Sequence, residues 1–283
     1  MKAGFSEITI LDNFYQTSSF YPMPVVMVTT LSENGMTNVG SYSLCFPFGI
    51  ADEHYMMLIS RGDSNTSLNL LNNNPHCSLN FIPFKRKFLK NAVCLGYPGE
   101  DTEQKQKDCI FKLIPTMRLD SEADAEYPDV IEEAVQIFEC TWISDKDKFH
   151  YGNDGGERHF LLRIDHIFMK DKWAASLRRG GRFPSMPIDY GYRDSKNFWF
   201  ARHSAPYAEP IPRNKGIDVN SIIYEIQRLP YKLEWDDEAY EKLVKVPRIF
   251  LKRVLVSISE RAVSEGITEI TTDLLDLYNQ RKR

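Results

Sequence analysis

Cysteine is scarce and scattered in this sequence: Cys45, Cys77, Cys94, Cys109 and Cys140, with no C-x-x-C pair. That pattern argues against a zinc or iron–sulfur site and against a disulfide framework. No uninterrupted apolar run approaches the roughly 20 residues needed to span a bilayer, so no membrane partner is expected. The N-terminal stretch MKAGFSEITILDNFY lacks a charged start leading into an apolar run and a small-residue cleavage site. A cytoplasmic location is therefore the expectation. Positive charge is not in excess either: 35 Lys and Arg face 39 Asp and Glu, a net charge of -4. The global electrostatics thus give no reason to expect nucleic acid. Internal repeats and low-complexity tracts are missing as well.

What is present is enough apolar material for a core. Hydrophobic residues make up 42% of the 283 and aromatic ones 12%, which excludes a disordered chain. The length suits one large domain, or one medium domain with an appendage. Between 24 and about 170 the signals are mostly of strand type. PVVMVTT (24–30) is short, apolar and β-branched, and the Asn34-Gly35 turn behind it is a strong hairpin signal. MTNVGSYSLCFPFGI (36–50) resumes as one strand. EHYMMLIS (53–60), CSLNFIP (77–83), VQIFECTWI (135–143) and RHFLLRIDHIFMKDKW (158–173) follow, each bounded by turn residues. Helices are predicted over 65–74, stopped by Pro75, and over 100–114. Many antiparallel strands with few helices point to a closed barrel, because closure removes exposed edges.

The stretch 174–233, rich in Gly, Pro, Arg and aromatics, reads as an irregular excursion or linker packed on the barrel. From 234 onward the period is helical. Val246, Ile249, Phe250, Val254, Ile258 and Ala262 recur at spacings of three and four. Pro247 suits a first helical turn, Gly266 a C-terminal cap, and Thr271 the start of a last helix. The expected fold is mainly β with inserted helices (α+β). Its parts are a barrel domain over 1–173, the excursion over 174–233 and a three-helix module over 234–283.

SRGDSNTSLNLL (60–71) carries the most chemistry. Arg-Gly-Asp within it is an adhesion triplet, but a three-residue motif recurs by chance and nothing marks secretion. Physically the stretch is a strand end, a guanidinium and then a helix start rich in hydroxyls. A helix N-terminus offers free N–H groups and partial positive charge to an anion. Arg61 adds a fork matched to phosphate, and Thr66 and Ser67 add hydroxyls. An ordinary capped helix after a strand remains the alternative reading of these residues.

In order and spacing, the span from about 20 to 170 resembles the flavin-reductase-like group of FMN-binding split barrels. The shared features are Pro22-x-Pro24-Val25-Val26, the Asn-Gly turn, Asn38-Val39-Gly40-x-x-Ser43, and Ser60-Arg61 followed by Thr66-x-x-Asn69. The resemblance implies a split β-barrel homodimer with FMN near the subunit interface. It implies that Arg61 and Thr66, with Asn69 and Ser60, hold the FMN phosphate. It implies too that Asn38, Val39, Gly40, Ser41 and Ser43 run along the ring and ribityl, largely through backbone groups, with Thr29 and Thr30 as further candidates. The chain departs from the family at 51–54, where Ala-Asp-Glu-His replaces paired prolines. Its second half aligns poorly, so no nicotinamide site is assigned. The tail is similar to the helical module that ends the light-independent protochlorophyllide reductase B subunit, without Cys or His to import that chemistry.

The function implied is an FMN-dependent oxidoreductase passing electrons from NADH or NADPH to an unidentified acceptor. Flavin chemistry belongs to the cofactor, and no catalytic acid–base pair stands out. With no G-x-G-x-x-G and no P-loop, a nicotinamide would bind transiently on the flavin face. The alternatives are a non-enzymatic FMN carrier or sensor whose tail docks a partner, and a barrel that has changed ligand. Blander readings stand beside these. Cys45 is a small buried residue, His150 and His159 flank a hairpin loop, and His166 is structural. The aromatics at 183–200 either lid a planar cofactor or simply pack.

Overall fold

A computed structural model describes residues 4–50, 53–116, 126–144, 156–179, 182–192, 196–203, 205–207, 209, 217–246 and 248–280. The chain divides into two compact units, Met1–Pro206 and Tyr207–Arg283.

The first unit opens with α1 (Phe14–Thr17), β1 (Met23–Pro24), β2 (Val26–Leu31), β3 (Thr37–Tyr42), β4 (Cys45–Gly49) and β5 (Tyr55–Arg61). Next come α2 (Asn65–Asn72), β6 (His76–Phe81), α3 (Arg86–Gly96), α4 (Thr102–Asp108), β7 (Leu113–Ile114) and β8 (Val130–Ile131). It ends with β9 (Gln136–Trp142), β10 (Glu157–Met169), α5 (Asp171–Arg179), β11 (Pro187–Tyr192) and β12 (Phe198–Arg202).

Seven strands form one antiparallel sheet in the order β3-β2-β6-β9-β10-β5-β4. Its two edges, β3 and β4, are separated in the chain by Ser43 and Leu44 alone. Laid flat, seven strands would set those edges about 29 Å apart, whereas the short link spans roughly 10 Å. The sheet must therefore curl until its edges meet, and at the corner Ile59 N–H donates to Leu44 C=O at 2.9 Å. Period-two alternation turns Val26, Val28, Leu58, Leu79, Phe160 and Leu162 into the curl. On the outside, Met27 and Val39 pack under Phe88, Leu89, Ala92 and Leu95 of α3. Helix α2 lies over the rim where β2 and β5 end, and its Leu70 joins the inner cluster.

Of the expected closed barrel, mainly β with inserted helices, the structure shows the coarser part, a curled antiparallel sheet in a mixed α+β fold, and several boundaries move. The strand expected over 36–50 is two strands, because β3 pairs with β2 while β4 pairs with β5. Helix α4 covers only half of 100–114. Beyond it Asn91 takes the amide of Ile110, and Leu113 and Ile114 pair with β8. Strand β10 stops at Met169, where Asp171 opens α5. Among its described residues the region 174–233, expected to be irregular, holds most of α5, the β11–β12 hairpin and a helix described below. Helix α3 was not anticipated. Its apolar residues have helical spacing, but its start is basic and Lys85 gives no side-chain cap.

The second unit contains α6 (Ile217–Gln227), β13 (Glu234–Trp235), α7 (Asp237–Leu243), α8 (Arg248–Ser264), β14 (Glu269–Ile270) and α9 (Thr272–Gln280). Strands β13 and β14 pair in parallel. Four helices therefore build this unit among the described residues, one more than the tail reading of 234–283. Ile222 and Ile226 of α6 belong to the same cluster as Leu243, Leu255 and Leu275. The buried stripe of α8 runs through Leu251, Leu255 and Ala262, and Phe250 is exposed. Of the expected stripe, Val246, Val254, Ile258 and Ala262 join or pack against that cluster and Phe250 does not; Pro247 and the side chain of Ile249 lie outside the described residues. Gly266 does end α8 in the left-handed conformation, at φ 70°.

Candidate functional site at the mouth of helix α2

Strand β5 ends on Ser60 and Arg61, and the chain turns into α2 within three residues. Ser64 is the N-cap, its Oγ accepting from Ser67 N–H at 3.1 Å and its C=O from Leu68 N–H at 2.9 Å. The amides of Asn65 and Thr66 are left at the helix mouth, as expected for a first turn. Around the cap the hydroxyls are linked. Ser60 Oγ lies 2.8 Å from Ser64 Oγ and donates to Tyr42 OH at 3.2 Å, while Ser67 Oγ donates to Arg61 C=O at 2.6 Å.

The residues singled out from the sequence separate into two groups. Thr66, Asn69, Asn38, Thr29 and Thr30 are buried and bond inward. Asn38 Nδ2 donates to Thr66 Oγ1 at 3.3 Å, Asn69 Nδ2 to Thr30 Oγ1 at 3.0 Å, and Thr29 Oγ1 to Ser78 C=O at 3.5 Å. The Asn38–Thr66 and Asn69–Thr30 bonds fasten α2 to β3 and β2, while Thr29 bonds across to β6. Val39 points into the core under α3. The side chains of Thr66 and Asn69 thus do not converge with Arg61 on one point, because helix packing uses them first. Arg61 itself is exposed and forms a forked ion pair with Asp63, which holds the Asp63 carboxyl below its usual range.

The second group borders the open edge of β3. Gln106 Nε2 of α4 donates to Thr37 C=O at 2.9 Å, so Thr37 faces away from β2. By strand alternation the backbone groups of Val39 and Ser41 point the same way. On the other face of the strand Gly40 is a close approach. A Cβ there would lie 2.8 Å from Tyr42 Cε2 and 3.1 Å from Thr66 Oγ1. Ser41 and Ser43 are half-buried. The hydroxyl of Ser43 faces Asp189 of β11, a carboxyl whose ionisation burial pushes above its ordinary value. The loop before α4 is tied to the helix mouth, since Asn65 Nδ2 donates to Glu100 C=O at 2.9 Å.

Of the blander readings, Cys45 is buried in the inner cluster, and burial pushes its thiol up to about 12. His166 stacks on Phe168 within β10. His150 and residues 51–52 lie outside the described residues. Among the described residues no three His, Cys, Asp or Glu side chains group as metal ligands, and no helix is long and apolar enough to cross a membrane. Sequence reasoning missed Lys105, which is only 8% exposed on α4. In EDTEQKQKD nothing distinguishes it from the exposed Lys107 two residues on.

No family model and no curated protein sequence matches the chain, so the likeness of the tail to the protochlorophyllide reductase module is unsupported. Solved structures do match. The flavoredoxin of Methanosarcina acetivorans shares 15% identity over 74% of this chain and 97% of that one, with a TM-score of 0.53. The 2-nitrobenzoate 2-nitroreductase NbaA of Pseudomonas fluorescens shares 17% over 74% and 98%, with a TM-score of 0.56. An FMN-binding protein from Thermus thermophilus, with bound p-hydroxybenzaldehyde, shares 16% over 74% and 99%, with a TM-score of 0.51. At such identities the likeness is one of fold: the chain carries the curled antiparallel sheet of flavoredoxins and FMN-binding split barrels.

Proposed function

We propose that this chain is an FMN-binding oxidoreductase of the flavin reductase type, passing electrons from NADH or NADPH through FMN to a further acceptor. The observation that carries this reading is the open edge of β3 running up to the mouth of α2. In this reading the backbone groups of Val39 and Ser41, the amides of Asn65 and Thr66, and the guanidinium of Arg61 would line one path, the edge strand and the helix mouth being tied together by Asn38 Nδ2 and Thr66 Oγ1. Such a row suits a planar heterocycle on a polyol chain that ends in phosphate. The close approach at Gly40 fits it too, since no side chain there widens the gap between β3 and α2. The fold neighbours, two of them flavoproteins by name, support the same cofactor.

In this reading Arg61 and the α2 amides hold the phosphate. Val39, Gly40 and Ser41 line the ring and ribityl through their backbone, and Ser43 lies at the corner. Ser60, Asn38, Thr66, Asn69 and Thr30 act one layer behind, holding the helix mouth in place, and Thr29 bonds within the sheet to β6. Bound flavin supplies the hydride and electron chemistry; the chain binds, orients and shields. The homodimer that the resemblance implies would offer cover to exposed apolar residues such as Phe5, Ile10, Phe14 and Ile50.

The absorption spectrum of the purified protein tests the reading. Flavin bands near about 450 nm, together with steady-state oxidation of NADH or NADPH, support the reductase. Bound flavin without turnover leaves the electron carrier, the function in the name of the Methanosarcina neighbour. A protein that neither carries nor takes up flavin overturns both.

A further inference from the structure

Strand register sorts the charges around the turn that leads into α2. Arg61 stands opposite Glu157 of β10 and forks onto Asp63, so one carboxylate binds its guanidinium and a second faces it across the ladder. Arg158, the next residue of β10, stands opposite Ser60 instead. Directly opposed residues of an antiparallel pair turn their side chains to the same face, and successive ones to opposite faces. Arg158 therefore shares its face with Ser60. The Ser60 hydroxyl is already taken up by Ser64 Oγ at 2.8 Å and Tyr42 OH at 3.2 Å, and Ser64 is the N-cap of α2. The shared face is thus the one that leads to the helix mouth.

A second contact fixes the course of the Arg158 side chain. A Cβ on Gly62 would lie 3.5 Å from Arg158 Cγ and 3.6 Å from its Nε, so the side chain crosses the bare backbone of the turn two residues before the cap. Gly62 N–H donates to Gly156 C=O, which laces that turn to the start of β10. Arg158 is exposed and, among the described residues, no hydrogen bond or ion pair engages it. The turn therefore carries one guanidinium that is met by a carboxylate and one that meets only water. Beside the second lie the first-turn amides of Asn65 and Thr66, which have no partner within the helix. We propose that Arg158 is a ligand-binding residue of the α2 mouth, a second guanidinium that takes the terminal phosphate together with those amides and Arg61. An exposed guanidinium gives up little water to do so, and its planar fork matches the phosphate oxygens. This rests on the flavin reading and deepens it: the site prefers phosphorylated flavin to riboflavin, and part of that preference comes from β10 rather than from the run 60–71.

The test measures the affinity of the full-length protein for FMN and for riboflavin by quenching of flavin fluorescence. Arg158→Gln removes the charge from an exposed position. It is expected to weaken FMN about tenfold or more, the scale of a charge-assisted bond, while riboflavin changes little. Arg158→Lys keeps the charge without the fork, and its preference for FMN should fall between those of the glutamine variant and the wild type. If Arg158→Gln leaves the ratio of FMN to riboflavin affinity unchanged, or weakens both ligands by the same factor, Arg158 does not touch the phosphate and the flavin reading stands. A lysine variant equal to the wild type shows that net charge alone counts, and it too overturns the contact. If the wild-type protein binds neither ligand, the flavin reading itself fails and this inference with it. Should Arg158→Gln not fold, the lysine variant decides by the same ratio.

Discussion

Arg61 Nε and Nη2 hold the two carboxylate oxygens of Asp63 at 3.0 and 2.6 Å, the geometry in which a guanidinium also grips phosphate. Both side chains are exposed, and pairs of that kind contribute little in water. On the proposed reading a ligand phosphate would compete with this carboxylate for the fork and displace it at little loss. Asp63→Asn should leave the fold intact and raise FMN affinity several-fold, since the fork no longer exchanges one anion for another. Arg61→Ala should weaken FMN by about 1.5–3 kcal/mol. Isothermal titration on the two variants checks both signs. An Asp63→Asn protein that binds FMN more weakly removes Arg61 from the phosphate site.

Thr66 makes a different prediction now that its surroundings are known. It is 1% exposed, and its Oγ1 accepts from Asn38 across the gap between α2 and β3. Thr66→Val keeps the shape and leaves the Asn38 amide without an acceptor. The expected loss is about 1–3 kcal/mol of folding stability, read by urea unfolding, with a smaller effect on ligand affinity. Ser64→Ala, which removes the N-cap, should lose about 1 kcal/mol. A Thr66→Val protein of unchanged stability and tenfold weaker FMN binding reverses the assignment and restores Thr66 to the phosphate.

How much of this was legible in the sequence depends on what each residue signals locally. The run 60–71 announces a strand end and a capped helix, because Ser64, Asn65 and Thr66 have cap chemistry and Arg61 precedes them. Which hydroxyl caps and which packs is a tertiary matter. Ser64 takes the cap, and Thr66, one turn position further round, is drawn to Asn38, 28 residues away. The break at Ser43 and Leu44 was invisible because both flanking segments read as strand, and the different partners of β3 and β4 are set by curling of the whole sheet. Lys105 was invisible for the opposite reason. Its neighbours Gln104, Gln106 and Lys107 give a polar helix, and only the packing of α4 on the edge of β3 buries that one position.

Asp189 provides a pH prediction. It is 7% exposed, accepts from Gly191 N–H at 2.7 Å and faces Ser43, with burial pushing its pKa above the ordinary 3.8. Below the unfolded value the carboxyl is protonated in both states, and its full contribution to stability is present. As pH rises through the folded value the buried group must ionise, and that contribution is lost. Asp189→Asn removes the titration. The stability of the variant relative to wild type should therefore increase with pH from 3.8 upward. Urea unfolding of both proteins across that range checks it, and a difference that is flat with pH shows that Asp189 ionises no differently in the folded state.

The boundary between the two units predicts the outcome of truncation. Cutting before Glu234, the start expected for the helical tail, would leave α6 attached to the first unit. The apolar face of α6, with Ile222 at 3% and Ile226 at 9% exposure, would then lose the Leu243, Leu255 and Leu275 it packs with. Exposing a face of that kind invites aggregation. Cutting after Pro206 removes the whole of that cluster and leaves the first unit's own clusters complete. The 1–206 protein should therefore express as well-folded material that retains flavin affinity, whereas 1–233 should aggregate or bind hydrophobic dyes. Gel filtration and dye binding of the two fragments distinguish them. If 1–233 proves the better behaved, α6 takes its stability from the first unit and the boundary lies after it.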